Sequence, residues 1–416
     1  MRPETIVEGN LWIDNEIRRG CVGISDGKIV AIKRILPGDH YHDFGEKLIM
    51  PGVIDSHVHF RDPGRTHKED FSTGTLSAAF GGVTCVMDMP NTIPPVTTLA
   101  ALEEKVDVIK RKAHIDYGLY AAVTPQTEFA TLSPRCCGFK LYMADPLFEA
   151  GWLDCLPRVG EVGGLAVVHA EDRRSFKPLH GEDLGAYLRA RPNRCEREAI
   201  AQVVARGGRV HISHVSAAES IPLLRRTNAS SEVTPHHLLL NARYPSIRGK
   251  VNPPLRTTAD QTALWSALNG GVIDIIASDH APHLVEEKDR PLQEAEAGIP
   301  GVETMLPLMA AMVRRDRLPL SLLIRTLCER PAEIFGLKNE KGKIAAGFDA
   351  DLIALDLGEE GRIDAEKLHS KCGWTPYDGF PSVFPLATMV RGRFVVEDGE
   401  AVGDPGYGKW ITPKKV

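Results

Sequence analysis

Two histidines, His57 and His59, stand two positions apart directly after an apolar run at residues 48–54. The run is typical of a buried strand, in which residues i and i+2 point to the same side. Two imidazoles at a strand end form half of a tetrahedral metal site of the kind that suits zinc. Because such pairs also occur near turns without binding a metal, further residues must decide their role.

Eight strand-like apolar runs follow one another along the chain, at residues 48–60, 82–90, 117–123, 138–143, 165–170, 209–215, 232–238 and 273–279. Between them, residues 99–113, 197–206 and 259–268 have the apolar spacing of helices. This α/β alternation, with eight strand–helix units, predicts a (β/α)8 barrel of the TIM type. A doubly wound sheet also fits the alternation.

The ends of these runs carry polar residues at the places where a barrel positions its active groups. They are His57, His59, Asn91, Lys140, His169, His214 and Asp279. Each alone has an ordinary interpretation, as a core histidine, a solvent-facing lysine or a helix cap. Their joint placement predicts a single pocket that contains four histidines, a lysine and an aspartate.

The sixth and seventh runs leave alternatives. His211 and His214 compete for one role, and His214 is preferred because it lies nearer the strand end. His236 and His237, at the seventh end, are interpreted as packing residues or as groups behind the ligands. The third run offers no assignable residue.

Lys140 is the unusual member, because an ammonium group beside two metal ions would be repelled. A neutral lysine can instead react with carbon dioxide to give a carbamate, an anionic carboxylate analogue that can bridge two metals. Bridged metals bring the pKa of a shared water toward neutrality. Asp279 can bind one metal and carry a proton to a leaving nitrogen. The predicted chemistry is metal-assisted attack on an amide-like carbonyl.

Both ends of the chain carry short β patterns with turns. Strand-rich segments at the two ends can pair into one sheet. We therefore expect residues 1–50 and 345–416 to form a small β-sandwich module beside a barrel at residues 51–344.

Composition narrows the function classes. The chain has 416 residues, a net charge of −5 and mixed charge signs, with no basic stripe for nucleic acid. No apolar run approaches the roughly 20 residues of a membrane helix, and the first residues lack a signal-peptide core. Eight cysteines without a Cys-x-x-Cys pair favour buried thiols in a reducing compartment. We expect a cytoplasmic protein with neither nucleic-acid nor membrane partners.

With these residues in view, the chain resembles the amidohydrolase superfamily and, within it, the dihydroorotases, over nearly its whole length. The most specific motifs are residues 55–61 and 278–283. Residues 342–352 resemble the segment by which chains of that family re-enter the β-sandwich after the barrel. The resemblance implies two zinc ions bridged by carboxylated Lys140. The implied ligands are His57, His59 and Asp279 for the first ion, and His169 and His214 for the second.

The resemblance also implies a substrate site. Arg61, Asn91 and His283 would hold a carboxylate, which a guanidinium can grip with two parallel hydrogen bonds. The backbone of the segment containing Pro300 and Gly301 would meet a pyrimidine ring, and Asn252 would be another substrate-side residue. Without the resemblance, Arg61 could simply pair with a neighbouring carboxylate, and residues 298–304 could be a Gly/Pro loop before a helix.

The implied activity is the reversible interconversion of N-carbamoyl-L-aspartate and (S)-dihydroorotate in de novo pyrimidine (UMP) biosynthesis. Allantoinase and dihydropyrimidinase are the nearest alternatives, but their substrates lack the carboxylate that Arg61 would bind. A non-catalytic scaffold relative is a third, which the complete ligand set disfavours. The resemblance to this family also implies a homodimer. Association with aspartate transcarbamoylase is a further expectation, for which the sequence carries no signal.

Overall fold

The structure is a computed structural model that describes residues 2–412. The strands are β1 (Thr5–Ile13), β2 (Glu16–Ser25), β3 (Lys28–Lys33), β4 (His40–Pro51), β5 (Val53–Val58), β6 (Val83–Asp88), β7 (Asp116–Ala122), β8 (Gly138–Tyr142), β9 (Ala166–His169), β10 (Val210–Ile212), β11 (Ser230–Val233), β12 (Ile275–Ile276), β13 (Leu352–Leu355), β14 (Gly361–Arg362), β15 (Pro381–Ser382), β16 (Pro385–Val390), β17 (Arg393–Glu397) and β18 (Glu400–Ala401).

The helices are α1 (Phe71–Phe80), α2 (Leu99–Ile109), α3 (Phe129–Leu132), α4 (Cys155–Glu161), α5 (Leu184–Ala190), α6 (Asn193–Ala205), α7 (Ile221–Leu224), α8 (Pro235–Leu239), α9 (Thr258–Asn269), α10 (Val285–Lys288), α11 (Met305–Arg314), α12 (Leu320–Ile324) and α13 (Arg330–Ile334). A π-helical turn, Arg325–Glu329, joins α12 to α13. Within residues 2–412, no helix is long and apolar enough to cross a membrane.

Strands β5 to β12 form one parallel sheet in sequence order. The sheet closes on itself, because Val58 bridges to His280 and the backbone N–H of His59 donates to the His280 carbonyl at 2.8 Å. The TIM-type barrel is therefore confirmed and the doubly wound alternative is wrong. Every residue of β5 and β6 is buried, as expected for parallel strands that helices cover on the outside.

The predicted helices are present as α2, α6 and α9. Helix α9 begins with a capping box, in which Thr257 and Asp260 each bind the other's backbone N–H. The seventh run differs from its prediction, because the strand ends at Val233 and residues 235–239 are helical. Pro235 explains the change, since it has no N–H for a strand ladder and suits the first turn of a helix.

A second sheet has the order β18-β17-β16-β13-β4-β1-β2-β3, so it joins strands from both ends of the chain. One set of its side chains, including Val22, Ile49 and Met389, forms a core of its own. Another set, including Trp12 and Met50, packs with the barrel core. The chain thus consists of a barrel with a β-rich module, and module boundaries at residues 50 and 345 stay a prediction.

Candidate metal and substrate site

A cavity of about 530 Å³ opens at the carboxyl ends of the barrel strands. The predicted residues that line it are His57, His59, Arg61, Asn91, Lys140, His169, His214, Asn252, Asp279 and His283. A larger hollow of about 910 Å³, around Lys341 and Arg391, contains none of these residues. The proposed chemistry therefore belongs to the smaller cavity.

His57, His59 and Asp279 form the first candidate metal cluster, with ligand atoms within 4.8 Å of one another. Oδ1 of Asp279 lies 3.3 Å from Nε2 of His57 and 3.2 Å from Nε2 of His59. Burial lowers the pKa of His59 to about 4, which favours the unprotonated ring that a metal requires. Although burial opposes it, the neighbouring His57 helps to hold the pKa of Asp279 well below its ordinary value.

Backbone strain also marks this cavity. Arg61, His214 and Asp279 have φ angles of 63°, 35° and 46°. Residues other than glycine adopt this left-handed region at a cost, and such residues cluster at functional sites. Here the strained conformations occur at three of the cavity-lining positions.

Groups behind the first cluster fix its ring orientations. Nδ1 of His57 contacts Oε1 of Glu232, which leaves Nε2 to face Asp279. Nδ1 of His59 faces Oδ1 of Asn91 at 2.9 Å, and because that oxygen can only accept, the ring donates to it. Nε2 of His59 is then the free acceptor. Asn91, predicted to bind substrate, therefore also supports a candidate ligand histidine.

Lys140 lies between the two groups of histidines. Its Nζ donates to Oγ of Ser213 at 2.9 Å and lies 3.5 Å from Nε2 of His57. Burial lowers the pKa of Lys140 to about 8, which increases the fraction of neutral amine. A neutral amine is the form that reacts with carbon dioxide.

His169 and His214 form the second group, with Nδ1 of His169 at 2.9 Å from Nε2 of His214. On its other side, Nε2 of His169 faces Oε2 of Glu171 at 2.8 Å, and Arg191 pairs with the same carboxylate. Burial lowers the pKa of His169 to about 4 and that of His214 well below its ordinary value. Both rings are thus neutral and present one nitrogen to each other.

Cationic and amide groups line another wall of the cavity. Nη2 of Arg61 lies 3.3 Å from Nε2 of His283, and the buried Nε of Arg61 has no hydrogen-bond partner among residues 2–412. Burial lowers the pKa of Arg61 to about 10. A buried guanidinium with an unused donor is suited to an anion.

Two predicted substrate residues are placed elsewhere. Pro300 and Gly301 do not line this cavity, and the backbone N–H of Gly301 donates to Nδ1 of His280 at 3.1 Å. The cavity wall is formed instead by Ala297 and Gly298. Asn252 does line the cavity, with its Oδ1 accepting from the hydroxyl of Tyr187.

Sequence reasoning missed several supporting residues, namely Lys68, Glu171, Ser213, Glu232 and Glu296. Glu232 had a detectable signal, because it is an acidic residue at the start of a predicted buried strand. Lys68 had no detectable signal in the sequence, since lysines are common in polar loops.

The donor set fits a metal site. Three histidines with pKa values below the ordinary range, one ionised aspartate and a lysine with a lowered pKa point into one cavity. Imidazole and carboxylate are ligands for zinc and related divalent metals.

Comparisons with known proteins show similarity to amidohydrolases. The model described as "Amidohydrolase family" matches residues 182–395, and the one described as "Dihydro-orotase-like" matches residues 46–134. Dihydroorotase from Methanosarcina acetivorans is 37% identical, covering 96% of this chain and 93% of that protein. Dihydroorotase from Methanothermobacter thermautotrophicus is 39% identical, covering 94% and 93%.

Solved structures are similar over almost the whole fold. L-Hydantoinase (dihydropyrimidinase) from Arthrobacter aurescens has a TM-score of 0.93 and 32% identity, covering 98% of this chain and 99% of that chain. Dihydropyrimidinase from Brevibacillus agri NCHU1002 has a TM-score of 0.88 and 26% identity, covering 99% of each chain.

Proposed function

The chain belongs to the dihydroorotase family of the amidohydrolases, and we propose that it catalyses the reversible interconversion of N-carbamoyl-L-aspartate and (S)-dihydroorotate. The reaction closes or opens a cyclic amide and is a step of de novo pyrimidine (UMP) biosynthesis. Full-length similarity to several dihydroorotases supports this activity.

The observation that carries the proposal is the buried Arg61 beside His283, on the wall of the cavity that contains the metal-ligand candidates. A substrate with both a cyclic amide and a carboxylate can bind the histidine cluster and the Arg61 wall of this cavity at the same time. The amide would lie against the histidine cluster and the carboxylate against Arg61. A neutral ring would leave the guanidinium buried without an anion, at a cost of several kcal/mol.

For the metal centre, we propose two zinc ions bridged by carboxylated Lys140. His57, His59 and Asp279 would hold one ion, and His169 and His214 the other. When bound, such ions polarise the amide carbonyl and lower the pKa of a bound water. Metal analysis of the purified protein, together with a mass difference for carbon dioxide on Lys140, tests this composition.

The chain's own residues supply positioning and proton transfer. Asp279 is ionised in the free site, so it can accept the proton released by the attacking water and return it to the ring nitrogen. Arg61, His283 and the amide group of Asn91 orient the substrate through its carboxylate. Asn252 is proposed to contact the ring.

The test is a side-by-side assay of metal-loaded protein on dihydroorotate, dihydrouracil, hydantoin and allantoin. We expect kcat/KM for dihydroorotate to exceed that for dihydrouracil by roughly 100-fold or more, because a charge-assisted contact is lost with the carboxylate. Hydrolysis of another cyclic amide without dihydroorotate turnover would contradict the proposal.

A hydantoin or dihydropyrimidine hydrolase is the second candidate. The similarity to the Arthrobacter structure favours it, and so do Leu147 and Trp152, apolar side chains that line the same cavity. The buried Arg61 favours the first candidate, and the same assay decides between them.

We further propose that the enzyme is a homodimer in the cytoplasm. Association with aspartate transcarbamoylase is a separate prediction. Sedimentation of the purified protein, alone and with the transcarbamoylase, tests both assemblies.

A further inference from the structure

Lys68 is a buried lysine on the loop between β5 and α1. Its side chain is 4% exposed, and its Nζ lies 3.0 Å from Nδ1 of His283 and 2.9 Å from Oε1 of Glu287. Oε1 of Glu296 lies 3.5 Å away on a further side. The ammonium group therefore has one acceptor for each of its three hydrogens.

His283 is a neutral imidazole in this setting. Burial, followed by the charges of Arg61 and Lys68, places its pKa well below the ordinary value. A neutral imidazole has one acceptor nitrogen and one N–H. Since an ammonium group can only donate, Nδ1 is the acceptor and the hydrogen is on Nε2.

In this tautomer, the contact between His283 and Arg61 is not a hydrogen bond. Nε2 of His283 and Nη2 of Arg61 are 3.3 Å apart, and with hydrogen on Nε2 both are donors. An anionic oxygen that enters the cavity can accept from both nitrogens at once.

The opposite tautomer is disfavoured by the same distances. Hydrogen on Nδ1 would create a bond from Arg61 to Nε2 at 3.3 Å, but it would place an N–H against the ammonium group at 3.0 Å. The closer contact sets the tautomer, because like donors at hydrogen-bond distance repel.

We propose that Lys68 is a positioning residue that fixes His283 as the Nε2–H tautomer, so that His283 and Arg61 donate together to the substrate carboxylate. The inference rests on the proposed function, because it assigns both donors to the carboxylate of dihydroorotate. Lys68 does not line the cavity, so it acts through His283 and not on the substrate.

The experiment is a double-mutant cycle on dihydroorotate hydrolysis with Lys68→Met, His283→Ala and the double variant. Lys68→Met should raise KM roughly 10- to 100-fold, as expected for loss of one charge-assisted hydrogen bond, with kcat changed less than about threefold. In the His283→Ala background, Lys68→Met should change KM by less than about threefold, because its effect passes through His283.

Two further variants separate positioning from structure. Lys68→Arg keeps a cationic donor and should recover part of the lost affinity. Lys112→Met is the matched control, because it removes the 2.8 Å ion pair with Asp62 on the same loop without touching His283. Its KM should stay within about twofold of wild type.

Histidine-selective 15N NMR of the wild-type enzyme reads the tautomer without any change at Lys68. The His283 signal, identified by its loss in His283→Ala, should have the shift of an Nε2–H ring. An Nδ1–H ring, or additive effects of Lys68→Met and His283→Ala on KM, would overturn the role of Lys68. A wild-type enzyme without dihydroorotate turnover would overturn the proposed function instead, and the assignment of the carboxylate with it.

Discussion

At the scale of single residues, Glu232 supports several groups of the candidate metal site. Its carboxylate contacts Nδ1 of His57, lies 3.1 Å from Nε2 of His211 and accepts from the backbone N–H of His214 at 3.2 Å. His211 therefore belongs behind the site, in agreement with the preference for His214. A carboxylate on the far nitrogen of a ligand histidine fixes its tautomer and increases its basicity.

Glu232→Gln should consequently lower metal affinity by roughly 10- to 100-fold. Competition with a chromophoric chelator measures that change. Glu303→Gln is the matched control, since Glu303 is also buried but binds His369 and Ser77 away from the cavity. Equal metal affinities in the two variants would remove the role assigned to Glu232.

Arg61→Ala should act mainly on substrate binding. Losing the guanidinium removes charge-assisted donors, so KM for dihydroorotate should rise roughly 100-fold while the metal content stays at the wild-type level. Steady-state kinetics beside metal analysis checks both parts. An unchanged KM would show that the carboxylate binds elsewhere.

At the scale of elements, buried polar contacts join segments that are distant in the chain. Oδ1 of Asp55, in β5, accepts from the backbone N–H of Ser278 at 3.1 Å, which ties the first barrel strand to the segment after β12. Lys341 has a similar role at the other end of the barrel. Its Nζ contacts Asp116 of β7 at 2.7 Å and Asp351, beside β13, at 2.6 Å.

Lys341→Met should lower stability by about 3–5 kcal/mol, because it leaves buried carboxylates without their cation. Although burial opposes it, Asp351 and Asp349 raise the pKa of Lys341 above its ordinary value. A lysine whose pKa is raised in the folded state stabilises the fold fully at pH values below its unfolded-state pKa of about 10.4. This stabilisation is lost as the pH rises through the folded-state pKa. Denaturant unfolding from pH 8 to 11 should therefore show that the difference in free energy of unfolding between wild type and variant becomes smaller above about pH 10.4. Lys343→Met, at an exposed position, should have little effect.

At the scale of the whole molecule, the candidate ligands come from five of the eight barrel strands or the segments just after them. A metal that binds all of them links distant parts of the barrel and stabilises only the folded state. The similarity to dihydroorotases and hydantoinases covers more than nine-tenths of the chain, so the whole fold and not one motif carries the family resemblance.

Removing metal with a chelator should lower the melting temperature by several degrees and abolish activity, and added zinc should restore both. Calorimetry of metal-loaded and metal-free protein measures the shift. The His57→Ala/His169→Ala double variant should show a much smaller shift, because each proposed ion has lost a ligand. A full shift in that variant would place the stabilising metal outside this cavity.

The sequence by itself predicted the barrel and ten of the residues that line its cavity. Apolar runs mark parallel strands, and the carboxyl ends of such strands meet at one face, so His57, Lys140 and Asp279 had to lie close together. Only the tertiary structure decided which groups support them. Lys68 meets His283 and His57 meets Glu232 across long stretches of chain, and hydrogen-bond partners of this kind depend on how loops and strands pack. The same dependence explains why Gly298, and not Pro300 or Gly301, forms the cavity wall.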